Sequence, residues 1–225
     1  MANFEQHVNG AIVASGVMVV SLHSLGVLDK KESMVAIFLG LVGGVLPDLD
    51  LDSSKPIQIA FKLFSVIIPI LVLLGVPYDM SIVKMLVIWG VSSLILHFVF
   101  FKIFLTLTSH RGIFHTIPMG IFFAQITTVL FYYFLQTSAV FSTMAGFFVF
   151  LGFMVHLLLD EIFSVNITGL RMKKSFGTAL KFYSKNNLIG TYILYGLIIV
   201  TYFITPSDSV VFESISKIIQ NHRIL

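Results

Sequence analysis

The sequence predicts an all-α polytopic membrane protein with about six or seven hydrophobic helices. Apolar residues make up 57% of its 225 residues and charged residues only 11%, whereas a soluble domain carries roughly 25% charged residues. The mean hydropathy is +0.98. A soluble fold of this size cannot bury so much apolar surface, so a soluble globule, a disordered chain and a nucleic-acid-binding domain are excluded. The chain has no Cys, which excludes disulfides and zinc-thiolate sites.

The apolar residues form seven continuous runs, and continuous runs favour membrane helices over the alternating pattern of barrel strands. A helix needs about 20 residues to cross the hydrocarbon core. The predicted segments are residues 11–28, 34–46, 57–76, 82–107, 117–135, 139–159 and 189–205. The second segment is short for a full crossing and ends at Pro47. We predict one helical membrane domain over residues 1–205 and a short amphipathic tail over residues 206–225.

Lysine and arginine set the predicted orientation, because they are enriched in cytoplasmic loops. The loop at 160–187 carries Arg171, Lys173, Lys174, Lys181 and Lys185 and is predicted to be cytoplasmic. Alternating crossings place 47–56, 108–116 and the N-terminus on the same side. Lys30 and Lys31, on the other side, argue weakly against this assignment. The predicted location is a bacterial inner membrane.

The first polar cluster consists of Asp48, Asp50 and Asp52, directly after the second apolar segment. Three carboxylates so close repel one another unless a proton or a cation offsets their charge. Hard and borderline cations prefer such oxygen ligands. The alternative is a solvated acidic turn that ends a helix. An EF-hand is excluded, because the loop lacks its glycine and its final glutamate.

The second cluster contains His110 and His115, separated by Arg111 and Gly112. A spacing of five is poor for a shared metal on one helix, but a turn at Gly112 would bring both imidazoles inward. Arg111 suits bidentate contact with phosphate. The alternative is a basic loop that meets anionic lipid headgroups.

The third cluster places His156 and Asp160 at i and i+4, on one helix face, with Glu161 next in the chain. This spacing suits one metal ion, or a carboxylate that orients a metal-binding histidine. The alternative is a capped helix end with a satisfied histidine. Taken alone, His7 is predicted to be an ordinary surface histidine. The predicted crossings bring all these clusters to one membrane face, where mixed His and carboxylate ligands suit Zn, Mn or Fe.

Three motifs resemble those of the YdjM-like family of predicted membrane-bound metal-dependent hydrolases. They are Leu-Pro-Asp-Leu-Asp at 46–50, His-Arg-Gly-Ile-Phe-His-Thr at 110–116 and Gly-Phe-Met-Val-His-Leu-Leu-Leu-Asp at 152–160. The resemblance covers roughly residues 1–185 and implies a helical membrane protein with these metal ligands: His7, Asp48, Asp50, His110, His115, His156 and Asp160. The chain departs from the family pattern at Leu51-Asp52-Ser53, where many members have His-Pro, and after Asp160, where Thr-Pro is frequent. The family is distantly similar to zinc-dependent phospholipases C and single-strand nucleases.

The expected function is hydrolysis of a phosphoester in a lipid or lipid-linked substrate by metal-activated water, with one to three divalent ions. Zn²⁺ is the first expectation, with Mn²⁺ or Fe²⁺ as alternatives. Arg111 would neutralise charge on the phosphate, and Glu161 or Asp52 would be the general base. The residues expected to attract an anionic substrate are Arg171, Lys173 and Lys174. The expected partners are membrane lipids, and no nucleic acid.

Two other functions fit the same residues. A metal transporter or sensor would use ionisable groups near the bilayer midplane. A non-catalytic scaffold would use a metal for structure alone. An intramembrane metalloprotease is not expected, because the sequence contains no His-Glu-x-x-His motif.

Overall fold

A computed structural model of the chain describes residues 2–50, 80–100, 112–166, 171–172, 180–185 and 187–222, and residues 62, 65, 66, 69, 70 and 73. The chain divides into two compact units. The first unit combines Met1–Asp48 with Gly112–Leu225, and the second is Leu49–Arg111.

Helices dominate the described residues, as the sequence predicts. They are α1 (Phe4–Ser24), α2 (Lys30–Val45), α3 (Ile82–Leu94), α4 (Ile117–Val129), α5 (Ala139–Ile162), α6 (Leu188–Ile204) and α7 (Asp208–His222). A 3₁₀ turn, Leu46–Asp50, follows α2, and π-helical stretches extend α3 over Ile95–Phe100 and α4 over Leu130–Phe134. Two-residue strands, β1 (Val165–Asn166) and β2 (Arg171–Met172), pair antiparallel. The all-helical class is therefore confirmed, apart from this short ladder.

Three helices in the described ranges are long and apolar enough to cross a membrane: Phe4–Ser24, Ile117–Phe134 and Ala139–Ile162. The pair α6 and α7 makes a fourth if its two helices, bent by 55°, form one broken span. α2 has 16 residues and is not among these candidates. The predicted segment at 57–76 lies mostly outside the described residues, as does the end of the segment at 82–107. The count of six or seven helices thus stays a prediction.

The first two helices begin earlier than the apolar runs alone indicate, because each has a capping box. The Asn3 side chain accepts a hydrogen bond from the Gln6 amide at 2.8 Å, and the Gln6 side chain accepts one from the Asn3 amide. Asp29 and Glu32 form the same reciprocal pair before α2. Such caps satisfy amides that otherwise lack a partner in the first turn. As a result, His7 lies inside α1 and not in a surface segment before it.

Small residues bring α1, α2 and α5 into close contact. A Cβ added to Gly152 of α5 would collide with the carbonyl oxygen of Gly40 and would lie 2.8 Å from the Gly44 amide nitrogen, both in α2. A Cβ on Gly43 would collide with the carbonyl of Val149. Backbone-to-backbone approach of this kind is typical of helices packed by small residues in membranes.

The faces of α1 show which side of the bundle meets lipid. Val13, Val17 and Val20 are 65–70% exposed, as expected for side chains that contact acyl chains in place of water. The opposite face is buried and consists of His7, Ala11, Ser15 and Val19.

The apolar core occupies one half of the three-helix contact. It includes the later part of α1, the connection to α2, and the earlier parts of α2 and α5: Val19, Leu28, Ala36, Leu39, Phe141, Ala145, Phe148 and Val149. The other half of the same contact holds the start of α1, the end of α2 and the end of α5.

α4 and α6 run in the same direction along the bundle. The Ile117 amide, at the start of α4, donates to the Lys181 carbonyl at 2.9 Å, shortly before α6 begins. The Tyr133 hydroxyl, beyond the other end of α4, donates to the Ile204 carbonyl at 3.0 Å, where α6 ends. Because α5 follows α4 in the chain and runs back along it, the first residues of α5 lie at the same end of the bundle as the end of α6.

Candidate metal centre

Five ionisable side chains meet at one end of the first unit. His7 comes from the start of α1, Asp48 from the 3₁₀ turn after α2, and His115 from the segment before α4. His156 and Asp160 come from the end of α5. The three histidines and Asp160 are at most 7% exposed, whereas the Asp48 side chain is 31% exposed. The cluster is therefore almost closed, with Asp48 at its accessible edge.

The His156 imidazole occupies the middle of this cluster. Its Nε2 lies 3.6 Å from Asp48 Oδ1 and 3.8 Å from Asp160 Oδ2. The ring of His115 meets that of His156 edge-on, with 5.8 Å between centroids. His7 Nε2 lies 3.4 Å from Asp160 Oδ1. Asp160 thus directs one oxygen toward each of two imidazoles.

A backbone carbonyl fixes the orientation of His156. Its Nδ1 donates a hydrogen bond to the Gly44 carbonyl oxygen at 2.7 Å, and a carbonyl can only accept. Nε2 then carries the lone pair, and it has no hydrogen-bond partner in the described part of the chain. A buried polar atom without a partner costs roughly 1–3 kcal/mol. This arrangement, one ring nitrogen held by a carbonyl and the other left open, is typical of metal-binding histidines.

Two more buried atoms in the cluster lack a hydrogen-bond partner among the described residues, namely His7 Nδ1 and Asp160 Oδ1. So many unmet polar atoms in one place are rare in a folded protein. A metal ion would satisfy the lone pairs that imidazole and carboxylate groups direct into the cluster. It would also offset the cost of burying the Asp160 charge.

The distances within the cluster fit a zinc-like ion. Zn²⁺ binds imidazole nitrogen and carboxylate oxygen at about 2.1 Å in a tetrahedron, so neighbouring ligand atoms lie about 3.4 Å apart. The separations of 3.4, 3.6 and 3.8 Å between ligand atoms are close to this value. Two triads have ligand atoms within 4.8 Å of one another: His7, His156 and Asp160, and Asp48, His115 and His156. These buried groups could therefore hold a metal ion.

The structure describes the other predicted site residues only in part or not at all. His110, Arg111, Asp52, Lys173 and Lys174 lie outside the described residues. Asp50 and Arg171 are described only by their backbone, in the 3₁₀ turn and in β2. Glu161 is half-buried next to Asp160 and belongs to neither triad. The expectation that His7 alone is an ordinary surface histidine is wrong, because the capping box at Asn3 extends α1 and buries it.

The carbonyl of Gly44 is the part of the site that the sequence analysis missed. A main-chain acceptor leaves no side-chain signature. The sequence signal available for it was Gly43-Gly44 directly before the Leu-Pro-Asp motif, since two adjacent glycines near a helix end permit close approach of another helix. Gly44 is buried, and its added Cβ would press against the Ala11 side chain.

Apolar helices that present lipid-facing valines, with a buried His and carboxylate cluster at one end of the bundle, define a polytopic membrane protein with a candidate metal centre. The chain belongs to the YdjM inner membrane protein family, whose family model matches residues 1–216. This match confirms the family resemblance of the sequence motifs and extends it into α7. No curated protein and no solved structure matches the chain.

Proposed function

We propose that this protein is a membrane-embedded, metal-dependent hydrolase that cleaves a phosphoester in a lipid or lipid-linked substrate. The observation that carries the proposal is the buried Nε2 of His156, which faces two carboxylates. The Gly44 carbonyl binds the other ring nitrogen, Nδ1, and so leaves the lone pair of Nε2 available to a metal ion. A bound divalent ion would lower the pKa of a coordinated water to near neutrality and so supply a nucleophile. Asp48, at the exposed edge, marks the side from which a substrate would approach.

The stacking of two imidazoles favours two neighbouring ions over one. The rings of His7 and His156 are nearly parallel, at 10°, with centroids 3.6 Å apart. Each nitrogen lone pair lies in the plane of its own ring, so a single ion cannot lie in both planes. Two-metal hydrolytic sites place their ions about 3.5–4 Å apart, which is close to the ring separation. Asp160 would help to hold both ions, because its Oδ1 faces His7 and its Oδ2 faces His156.

The other predicted roles belong to the same proposal. Arg111 neutralises charge on the phosphate oxygens, and Glu161 or Asp52 serves as the general base. His110 and Asp50 complete the ligand set that the family resemblance implies. The basic residues that attract the anionic substrate are Arg171, Lys173 and Lys174.

The proposed topology has about six or seven hydrophobic helices in a bacterial inner membrane, with the centre facing the cytoplasm at headgroup level. The excess of Lys and Arg in the loop at 160–187 supports the cytoplasmic orientation. This loop begins at Asp160, which lies in the candidate metal centre near the end of α5.

Elemental analysis of detergent-purified protein, combined with a screen of phospholipids and soluble phosphoesters, tests the proposal. We expect about two transition-metal ions per chain in the wild type and about one in His7→Gln, since His7 serves one ion only. Metal-dependent phosphoester cleavage should fall strongly in the same variant. The matched control is His23→Gln, at the opposite end of α1, which should retain metal and turnover.

Three outcomes contradict the proposal in different ways. If the wild type contains no transition metal, the proposed metal centre does not exist. Full metal content, with no cleavage of any substrate and a loss of thermal stability on metal removal, establishes a structural scaffold. Metal uptake into proteoliposomes that requires Asp48 and His156 establishes a transporter.

A further inference from the structure

A second site lies in the same unit, on the face of α5 opposite the apolar core. It is a groove of about 290 Å³ between α4, α5 and the end of α6. Its walls are largely apolar and include Ile121 and Ala124 of α4, and Phe147 and Phe150 of α5. A volume near 300 Å³ is at the lower end of the range for small-molecule sites.

The groove is separate from the candidate metal centre. Gly146, in its floor, precedes His156 by ten residues of one continuous helix, or about 15 Å at the rise of an α-helix. The groove reaches Tyr202, Thr205 and Asp208, where α6 ends and α7 begins. Because α6 starts near the metal centre and ends at the groove, the two sites lie toward opposite ends of the bundle.

The groove is open toward the lipid-facing surface. Ile121 and Phe147, which form part of its walls, are 37% and 36% exposed. Both belong to helices long and apolar enough to cross a membrane. A hydrocarbon chain can therefore enter sideways from the bilayer without crossing water.

One end of the groove is polar and acidic. The Tyr202 hydroxyl donates to Asp208 Oδ2 at 2.9 Å, which leaves Oδ1 available to another donor. Asp208 is the single charged residue among those that line the groove. It is exposed, and it lies four residues after Ile204, the last residue of the apolar helix α6.

Apolar walls with an exposed carboxylate at one end match the two parts of one lipid molecule, an acyl chain and a charged headgroup. We propose that the groove binds a phospholipid with an ammonium headgroup, such as ethanolamine, from the leaflet opposite the metal centre. An acyl chain lies between α4 and α5, and the ammonium group donates to Asp208. This binding is independent of the proposed hydrolysis, because the two sites share no residue.

Native mass spectrometry of protein released from nanodiscs tests this assignment, with equal amounts of phosphatidylethanolamine and phosphatidylglycerol supplied. The wild type should retain about one phosphatidylethanolamine per chain. Thr143→Trp fills the groove and should abolish retention of both lipids. Asp208→Asn keeps an acceptor for Tyr202 but removes the charge, and it should lower the preference for ethanolamine about tenfold, as expected for loss of a hydrogen bond to a charged group.

Matched controls separate the groove from general effects on the surface. Val13→Trp places the same bulk on a lipid-facing position of α1, and Glu213→Gln removes a carboxylate from the exposed face of α7. Both should retain lipid as the wild type does. Equal retention in Thr143→Trp and Val13→Trp, or an unchanged headgroup preference in Asp208→Asn, overturns the assignment. Metal content should stay at the wild-type value in all four variants, so failure of this proposal is distinguishable from failure of the proposed hydrolysis.

Discussion

Gly152→Ala is expected to destabilise the protein by about 1–3 kcal/mol and to lower its metal content. The added methyl group would collide with the Gly40 carbonyl and lie 2.8 Å from the Gly44 amide, and neither backbone atom can rotate away. Relief requires that α2 and α5 move apart. Such a movement also withdraws the Gly44 carbonyl from His156 Nδ1, so the imidazole loses the hydrogen bond that orients it.

The thermal unfolding midpoint in detergent and the metal content by elemental analysis measure these two effects. Gly16→Ala in α1 and Gly196→Ala in α6 are matched controls, because an added Cβ there would meet no neighbouring group within 4 Å in the described part of the chain. Alanine in an open helical position is favoured over glycine by up to about 1 kcal/mol, so both controls should be neutral or stabilising. A Gly152→Ala variant as stable as these controls would contradict the close contact between α2 and α5.

His156→Gln is expected to lower the metal content from about two ions per chain to about one and to abolish hydrolysis, because cleavage in the proposed centre needs both ions. His156 belongs to both triads, and its Nε2 lies 3.6 Å from Asp48 Oδ1 and 3.8 Å from Asp160 Oδ2. Loss of a partner that only orients a ligand costs about 10–100-fold in metal affinity, and loss of this ligand should exceed that range. Glutamine is chosen because it is polar and of similar length, and so limits the cavity that the substitution leaves.

Metal content and turnover should be measured after size-exclusion chromatography, so that only folded protein is compared. His23→Gln again serves as the control, since His23 bonds the Leu28 carbonyl at the far end of α1. We expect His23→Gln to keep its metal. Wild-type metal content in His156→Gln would show that the metal is bound elsewhere.

Local patterns were sufficient to predict much of the bundle. The apolar runs at 117–135, 139–159 and 189–205 match helical stretches within a few residues, because a membrane helix must be apolar over its whole length. The i, i+4 spacing of His156 and Asp160 placed both at the end of α5, as a regular helix requires. The start of α1 was missed, because it depends on the capping box at Asn3 and not on hydropathy.

The sequence predicted the residues of the candidate centre and their convergence on one membrane face, but not which side chains contact one another. His7 and Asp160 are far apart in sequence, and their 3.4 Å separation depends on how closely α1, α2 and α5 approach. That approach is set by Gly40, Gly44 and Gly152, whose missing side chains give no hydropathy signal.

The sequence by itself determined that this is a helical membrane protein with His and carboxylate motifs at helix ends, because composition and spacing follow from local chemistry. The tertiary structure decided which side chains meet. It stacked His7 on His156, directed Nε2 toward Asp48 and Asp160, and left a groove on the other face of α5. These features arise where helices cross, and a crossing is fixed by contacts between distant segments that no local pattern contains.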